Sequence, residues 1–404
     1  MAILPRRARH RLILTLMKTV ATFMPGASYM AFAGSGSAGQ LCRYIGQTGV
    51  GRLLVVTDRP LRELGLVDRA TAELAAAGVE TAVFDGVEPD PTFGQVRAGV
   101  AAWREHGAEA VLAVGGGSSI DAAKIIAAAA TSDRDPRDWV GFAKIRHNVP
   151  PIYVIPTTSG TGSEATIGSV LSDDETHEKA VISARQLLPA AVALDPDLLL
   201  GLPQPITAAT GLDALTHAVE AYICEWDRGT ARQHAAAAVK LIFRHLETAY
   251  RDGGDREARE GMALAAYYAG IAINQVNVGN VHAIAHQLGG RYGIPHGLAN
   301  SLVLPHVLEF TFDETRAQLA ELAELAGVAE QGAGEERNAR AFIAAVRDLK
   351  RAVGLPEHSE KIRDEDYDYL CELALKECEA YPVPRMLDRD ATLTILRNIS
   401  ASPG

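Results

Sequence analysis

The sequence predicts an α/β domain built on a parallel sheet, followed by an all-helical domain. In the first half, short apolar runs alternate with segments of helical periodicity, which is typical of a parallel sheet covered on both faces. After Pro203 few β-branched runs remain and the hydrophobic pattern is helical. Because 404 residues are many for a single core, we expect two domains, with a boundary near residues 198–203.

Five apolar runs are the predicted strands of the sheet. They cover residues 53–57, 81–84, 110–114, 152–155 and 191–194. Helices are predicted between them over residues 61–77, 92–106 and 119–130. In the second half, helices are predicted over residues 206–224, 230–250, 255–274, 316–326, 338–353, 364–378 and 391–397.

The first thirty residues are basic and partly apolar. An apolar run, interrupted by Lys18, follows arginines at positions 6, 7, 9 and 11, and no acidic residue occurs before Asp58. This composition resembles a targeting peptide, although the run is too short to span a bilayer. We favour an additional amphipathic helix in residues 1–30, packed on the body of the protein or on a partner subunit. Loss of this segment from protein of the native source, measured by mass spectrometry, would contradict that interpretation.

Charge and cysteine usage restrict the partners and the compartment. A net charge of -11 argues against nucleic acid as the main partner, because such proteins favour a basic surface. The four cysteines form no CxxC pair, which suits a reducing compartment. We therefore expect a cytoplasmic protein without a nucleic-acid or membrane partner.

Three histidines lie close together late in the chain. His282 and His286 are four residues apart, so they share one face of a helix. The Gly289–Gly290 pair is expected to break that helix, and a turn at residues 293–295 would then carry His296 back toward the first two. This arrangement suits a metal site, although a polar helix end with scattered histidines has the same pattern.

A second pair strengthens the metal hypothesis. Asp213 and His217 are also four residues apart, so one carboxylate and one imidazole can reach one ion. Alone, the pair is equally well explained by an Asp–His hydrogen bond along a helix. Together with His282 and His296, it makes a set of one carboxylate and three imidazoles. Such a set suits iron or zinc rather than calcium or magnesium.

Two further features could bind a nucleotide phosphate and ribose. Gly115, Gly116, Gly117 and Ser118 follow a predicted strand and open a helix, whose free N–H groups can bind a phosphate. Asp58 follows another strand, where a carboxylate can accept hydrogen bonds from a ribose and repel a 2′-phosphate. The glycines do not form GxGxxG, and the acid precedes them. A tight turn and a helix cap are therefore the alternatives.

A hydroxyl-rich loop follows the strand at residues 152–155. Its sequence, PTTSGTGSE, includes Thr157, Thr158 and Thr161 together with two flexible glycines. So many hydrogen-bonding groups beside a strand end favour ligand binding over an ordinary surface loop. Downstream, Lys179 either contacts the same ligand or only lies on a hairpin.

Together these residues resemble the iron-containing (group III) alcohol dehydrogenase family. The similarity runs from about Ala31 to the C-terminus. Four motifs in the family's order carry it: GGGSSIDAAK (115–124), PTTSGTGSE (156–164), TGLDALTHAVEAY (210–222) and HAIAHQLGGRYGIPHG (282–297). The resemblance implies a Rossmann-like NAD-binding domain over residues 31–200 and a helical metal-binding domain over residues 201–404. It says nothing about residues 1–30.

The resemblance also implies roles for individual residues. The metal ligands are implied to be Asp213, His217, His282 and His296. The catalytic residue near nicotinamide and substrate is His286. The residues implied to line the NAD site are Asp58, Gly115, Gly116, Gly117, Ser118, Thr157, Thr158, Thr161 and Lys179. The family's metal is Fe²⁺, and Zn²⁺ is an alternative that ligand type does not separate from it.

The implied reaction interconverts an alcohol and an aldehyde or ketone. The metal would bind the substrate oxygen as a Lewis acid, and NAD would accept hydride. One alternative is a lyase of the dehydroquinate synthase type, but it needs a basic cluster, and only Arg291 lies near the metal motifs. A hydroxyacid–oxoacid transhydrogenase and a non-enzymatic metal-binding or filament-forming protein are the others. We expect a homodimer acting on a small molecule whose identity the sequence does not determine.

Overall fold

A computed structural model describes residues 6–23, 27–175, 178–226 and 229–400. The chain divides into two compact units. We call one the sheet unit, which comprises Ser28–Leu202 and Asp252–Gly270. The other, the helical unit, comprises Met1–Ala27, Pro203–Arg251 and Ile271–Gly404. The sheet unit thus contains one segment from after residue 200, and the helical unit contains one segment from before it.

The sheet unit is built on a six-stranded parallel sheet, as expected for this fold class. Nine strands are described: β1 (Ala31–Ala33), β2 (Arg52–Asp58), β3 (Glu80–Val87), β4 (Ala110–Gly115), β5 (Gly141–Phe142), β6 (Ile152–Pro156), β7 (Gly168–Ser172), β8 (Lys179–Ser183) and β9 (Ala191–Leu194). The large sheet has the order β1-β9-β6-β4-β2-β3. The central strands β4 and β6 are buried throughout, and each buried Val, Leu or Ile contributes roughly 1.5–3 kcal/mol.

Helices cover both faces of this sheet. The first six helices along the chain are α1 (Arg6–Phe23), α2 (Ser37–Gln47), α3 (Arg59–Glu63), α4 (Leu66–Thr71), α5 (Phe93–His106) and α6 (Gly117–Ala130). Alternate residues of a strand point to opposite faces. Leu53 and Val55 of β2 therefore share a core with Leu41 and Ile45 of α2. Helices α5 and α6 pack against strands β2, β3 and β4.

A smaller sheet lies in the same unit, with the order β5-β8-β7. Strands β7 and β8 pair antiparallel, and Lys179 is the first residue of β8. The sequence analysis predicted none of these three strands. They are short, and their fully buried apolar residues are only Leu171 of β7 and Ile182 of β8, so no sustained apolar pattern marks them.

The second half of the chain is helical, as expected. Its helices are α7 (Gln204–Ile223), α8 (Ala231–Arg251), α9 (Arg256–Val276), α10 (Asn280–Tyr292), α11 (His296–Phe310), α12 (Phe312–Leu325), α13 (Glu335–Ala352), α14 (Tyr367–Glu377) and α15 (Arg389–Ile399). Helix α1 packs on the turn Cys378–Ala380, and the His10 ring nitrogen Nε2 lies 2.9 Å from the Tyr381 carbonyl. All four cysteines are free thiols.

Several helices differ from the prediction. The helix expected over residues 61–77 is instead the two short helices α3 and α4, because Gly65 adopts a positive φ of 67° between them. Helices α2 and α11 were not predicted. Helix α11 is apolar on nearly all sides and contains Pro305, so it lacks the amphipathic pattern that marks surface helices.

Among the described helices, none combines the length and the apolar character needed to cross a membrane.

Candidate metal centre and cofactor loop

Helix α7 carries the first two predicted metal ligands. Asp213 and His217 lie one turn apart near its middle and are both buried. Pro203 is the N-cap residue of the helix, and Pro205 lies in its first turn, where proline is tolerated because the N–H groups have no helical partner. The apolar residues around the pair, such as Leu212 and Leu215, are fully buried and fix the helix in place. The carboxylate and the imidazole therefore face the same side of a rigid element.

Helix α10 carries the next histidines, and here one prediction was wrong. The Gly289–Gly290 pair does not break the helix, which continues to Tyr292. Both glycines keep helical backbone angles, and a glycine inside a helix costs only about 1 kcal/mol relative to alanine. The helix ends instead at Gly293, whose φ of 61° forms the left-handed cap. Pro295 then precedes α11, whose first residue is His296.

The structure brings the four candidate metal ligands, which lie on α7, α10 and α11, close together. One ligand atom from each of Asp213, His217, His282 and His296 lies within 4.8 Å of the other three. Asp213 Oδ1 is 3.4 Å from His296 Nε2 and 3.8 Å from His217 Nε2. Ligands bound at ~2.1 Å to a tetrahedral ion lie roughly 3.4 Å apart. The donor set and its spacing therefore fit a divalent transition metal.

The buried carboxylate of Glu220 holds the His282 ring. His282 Nδ1–H donates to Glu220 Oε2 at 2.6 Å, which leaves Nε2 for a metal. The backbone N–H groups of Gly279 and Val281 also donate to this carboxylate, at 2.8 and 2.6 Å. Burial raises the pKa of Glu220 to about 7, against the effect of these donors. Burial and the neighbouring histidines lower the pKa of His282, so its ring is neutral and able to ligate.

A buried amide, Asn300, contacts three of the four candidate ligands. Its Nδ2 lies 2.7 Å from Asp213 Oδ1, 3.2 Å from His282 Nε2 and 3.1 Å from His296 Nε2. The side chain is fully buried on α11. An amide N–H that donates to a carboxylate oxygen fixes the orientation of that carboxylate. Asn300 therefore sets the direction in which Asp213 faces the cluster.

His286 has a different environment from the ligands. It lies one turn after His282 on α10, and its ring stacks on His296 with centroids 5.4 Å apart. His286 Nδ1–H donates to Glu377 Oε1 at 2.6 Å, and Tyr381 donates its hydroxyl to the same oxygen. Burial lowers the pKa of His286, but the hydrogen bond and charge of Glu377 outweigh it and raise the pKa. The ring is about a quarter exposed, so it reaches solvent.

The predicted cofactor residues lie at one edge of the large sheet. Asp58, Gly115 and Pro156 end the neighbouring strands β2, β4 and β6, so the segments that follow them start side by side. The Thr157 N–H donates to the Gly115 carbonyl at 3.0 Å. Ligands of open α/β sheets bind outside the carboxyl ends of the strands. The sheet thus presents the glycine turn and the hydroxyl-rich loop at the edge where sheets of this kind bind ligands.

The loop lies directly on the glycine turn. A Cβ added at Gly117 would come within 2.8 Å of Thr161 Cγ2, and one at Gly116 within 3.3 Å of Thr158 Cγ2. Ser118 follows in the first turn of α6, where backbone N–H groups are free of helical partners. The absence of glycine side chains is therefore what allows the two segments to approach each other.

Two other predicted cofactor residues have partners within the protein. Asp58 caps α3, because its Oδ1 accepts the Leu61 N–H at 2.9 Å, and burial raises its pKa. The helix cap considered for Asp58 is thus present. Lys179 forms an ion pair with Asp90 and donates to Ser172 Oγ at 3.1 Å. Neither contact uses the whole hydrogen-bonding capacity of its side chain.

Sequence reasoning missed Glu220, Asn300 and Glu377. Glu220 lies three residues after His217, on the same face of α7, so its position inside a metal motif was an available signal. Asn300 lies one turn after His296, and the same argument applies to it. Glu377 is 91 residues from His286, so no local pattern could connect them.

Comparison with known proteins identifies the family of this chain. The family model for iron-containing alcohol dehydrogenases matches residues 30–196, and the model for the C-terminal domain of the Fe-containing alcohol dehydrogenase family matches residues 207–400. The 1,3-propanediol dehydrogenase of Klebsiella pneumoniae is 40% identical over 363 residues, covering 89% of this chain and 93% of the relative. The lactaldehyde reductase of Escherichia coli K12 is 36% identical over 349 residues, covering 85% and 91%.

Solved structures are similar over nearly the whole chain. A crystal structure of 1,3-propanediol oxidoreductase matches with a TM-score of 0.89 and 39% identity, covering 92% of this chain and 99% of that one. An alcohol dehydrogenase from Oenococcus oeni matches with a TM-score of 0.88 and 33% identity, covering 92% and 100%. The chain therefore belongs to the iron-containing alcohol dehydrogenase family and is an NAD(H)- and metal-dependent alcohol dehydrogenase.

Proposed function

We propose that this alcohol dehydrogenase holds Fe²⁺ through Asp213, His217, His282 and His296. The single observation that carries the proposal is the cluster of one carboxylate and three imidazoles with mutual distances within 4.8 Å, in which Asp213, His217 and His282 are buried and His296 is exposed. The description of the family supports iron. Zinc accepts the same donors, so the metal is tested by loading metal-free protein with each ion separately. Activity restored by Zn²⁺ and not by Fe²⁺ would contradict the proposal.

We assign supporting roles to two residues beside the ligands. Glu220 accepts the Nδ1 proton of His282 and so holds its Nε2 as the free donor. Asn300 donates to Asp213 Oδ1 and keeps the carboxylate turned toward the three rings. These contacts make the ligands rigid before any ion binds.

We propose that the nicotinamide cofactor is NAD, bound at the edge of the sheet. The residues assigned to it are Asp58, Gly115, Gly116, Gly117, Ser118, Thr157, Thr158, Thr161 and Lys179. The free N–H groups at the start of α6 suit a pyrophosphate, and the carboxylate of Asp58 disfavours the additional phosphate of NADP. A KM for NADP lower than that for NAD would contradict the assignment of Asp58.

When bound, the metal supplies a Lewis acid for the alcohol oxygen, and the nicotinamide accepts hydride at C4. The protein must also remove the alcohol proton. His286 is the residue proposed for this step. Because Nδ1–H is donated to Glu377, the lone pair of the neutral ring lies on Nε2, which can accept the proton. The partial exposure of His286 lets the proton pass on to water.

We propose short-chain primary alcohols and diols, with their aldehydes, as the substrates. Relatives named 1,3-propanediol dehydrogenase, lactaldehyde reductase and NAD-dependent methanol dehydrogenase support this class. The test is a spectrophotometric screen of alcohols and aldehydes with NAD and NADP on iron-loaded protein.

Turnover of polyol phosphates without net NADH formation would instead favour a lyase. Against a lyase, Arg291, the basic residue within the metal motifs, is bound through two nitrogens to Asp366 at 3.1 and 2.7 Å.

Hydride transfer to free NAD separates a dehydrogenase from a transhydrogenase. A transhydrogenase keeps its nicotinamide through both half-reactions, so it would produce no free NADH from a single alcohol. We expect stoichiometric release of NADH with the aldehyde. Turnover that requires both an alcohol and a second carbonyl compound would contradict a dehydrogenase.

We further propose a cytoplasmic homodimer with a nucleotide domain over residues 31–200 and a metal domain over residues 201–404. Four free thiols suit a reducing compartment. Two large apolar side chains, Leu12 and Leu16, are exposed one turn apart on α1, 59% and 63%, and suit a contact between subunits. Light scattering after gel filtration tests the dimer, and a monomeric mass would contradict it.

A further inference from the structure

The side chain of Lys124 is completely buried inside the sheet unit. It lies on α6, two helical turns after the glycine turn. Its Nζ has five oxygen atoms within 3.2 Å, of which the three closest are the carbonyls of Gly168 at 2.6 Å, Ser163 at 2.7 Å and Thr166 at 2.9 Å. An ammonium group has three protons, so these carbonyls use its full capacity. Lys124 therefore has neither the exposure nor the free donors to contact a substrate.

Asp121, one turn earlier on α6, binds the same segment. Its Oδ1 accepts the Ser163 hydroxyl at 2.5 Å, and its Oδ2 accepts the Val170 N–H at 2.8 Å. Burial lowers the pKa of Lys124 to about 8, while the charges of Asp121 and Glu164 oppose that shift. Removing either side chain leaves its hydrogen-bond partners in residues 163–170 unsatisfied, which is costly for buried groups. Lys124 and Asp121 thus tie α6 firmly to residues 163–170.

The segment held in this way directly continues the hydroxyl-rich loop. That loop crosses the glycine turn, with Thr158 and Thr161 against Gly116 and Gly117. Apart from a three-residue 3-10 turn at Ser163–Ala165, residues 157–167 belong to no helix or strand. Regular hydrogen bonding therefore does not determine the loop's shape, and side chains must satisfy its carbonyl groups. Lys124 and Asp121 supply these bonds from α6, the helix that also carries the glycine turn.

We propose that Lys124 and Asp121 are positioning residues for the nicotinamide cofactor, which hold the loop at residues 156–168 over the glycine turn. The inference rests on the proposed function, because it takes this loop as the NAD-binding loop. If the hydrogen bonds of Lys124 and Asp121 were lost, the loop would be more mobile before the cofactor binds. Cofactor binding would then include the entropic cost of ordering the loop. Affinity for NADH would fall, while metal binding, which uses residues of the helical unit only, would not change.

Two serine variants test the proposal with a matched control. Ser163→Ala removes a buried hydroxyl that donates to the Asp121 carboxylate and accepts from Lys124 Nζ at 3.1 Å. Ser169→Ala removes another buried hydroxyl, which lies beyond the loop and donates to the Asp121 carbonyl at 3.0 Å. Both variants lose a hydrogen bond to Asp121, and only Ser163→Ala also loses one to Lys124. We expect the Kd for NADH, measured by fluorescence titration, to rise about fivefold in Ser163→Ala and to stay within about twofold in Ser169→Ala. KM for NAD should rise equally, with kcat at saturating NAD unchanged. Equal effects of the two variants on Kd would overturn the proposal.

Lys124→Met provides a stronger test, because methionine fills much of the space without the charge. We expect amide hydrogen exchange over residues 157–168 to speed up about tenfold or more in the absence of nucleotide, with metal content unchanged. Unchanged exchange in folded Lys124→Met would overturn the inference. If this variant does not fold, the serine pair decides. A wild-type protein that binds neither NADH nor NADPH would overturn the proposed function instead, and the exchange measurement, which needs no nucleotide, would still decide the role of Lys124.

Discussion

His282 and His286 lie one turn apart on α10 but have different hydrogen-bond partners, and we therefore expect them to have different roles. His282 is buried and held by Glu220, while His286 is partly exposed and held by Glu377. His286→Ala should lower turnover about 100-fold or more, the range expected for loss of a general base. Its metal content, measured by plasma mass spectrometry, should stay near normal.

The control for this variant is His282→Ala, which should lose the metal. Loss of metal to the same degree in His286→Ala would make that residue a ligand and would remove it from the proton path. A fully loaded His282→Ala protein would remove His282 from the metal site.

The carboxylate of Glu220 should determine how tightly the metal is bound. Glu220→Gln keeps the size of the side chain but removes the charge that orients His282 Nδ1–H. We expect the metal affinity to fall about 10- to 100-fold, as is usual when the partner of a metal-bound histidine is changed. Competition with a chromophoric chelator measures this. The same affinity in Glu220→Gln and wild type would show that the backbone alone positions the ring.

At the scale of elements, the approach of α11 to α7 depends on Gly297. A Cβ at this position would lie 2.2 Å from the Ala209 carbonyl oxygen and 3.2 Å from Asp213 Cβ. Backbone atoms of α7 cannot move aside cheaply, so Gly297→Ala should separate His296 from Asp213. We expect lower thermal stability and weaker metal binding, both measured on the purified variant.

Gly290→Ala is the matched control for that variant. Gly290 is helical and exposed, and no atom would lie within 4 Å of an added Cβ. Alanine there should stabilise the protein by about 0.5–1 kcal/mol, because glycine has more conformational freedom to lose. Stabilisation by Gly297→Ala as well would contradict the close packing of the two helices.

Some of these elements could be predicted from the sequence, and others could not. Strands β4 and β6 were predictable because each is a short apolar run before a turn. The placement of Asp213 and His217 on one face of α7 was predictable, because helical spacing puts residues four apart on the same side. The Gly289–Gly290 pair was misread, because neighbouring turns and packing outweigh the small helical cost of glycine. The contact of Glu377 with His286 could not be predicted from the sequence, because it forms only when two distant segments of the chain pack together.

At the scale of the whole molecule, metal and nucleotide should stabilise different units. All four candidate ligands belong to the helical unit, and all assigned NAD residues belong to the sheet unit. Ligand at about 100 times its Kd stabilises a folded state by roughly 2.7 kcal/mol. Hydrogen exchange should therefore slow in α7, α10 and α11 with metal alone, and in residues 156–168 with NADH alone. The reverse pattern would contradict the assignment of the two sites.

The most direct test of the metal-dependent dehydrogenase is an iron titration of chelator-treated protein under anaerobic conditions. Bound metal and NADH formation from 1,3-propanediol are measured on the same samples, beside His282→Ala. We predict that activity rises in proportion to bound Fe²⁺, saturates at about one ion per chain, and is absent from the variant. Full activity in metal-free wild-type protein, or the same iron binding in His282→Ala, would contradict the account.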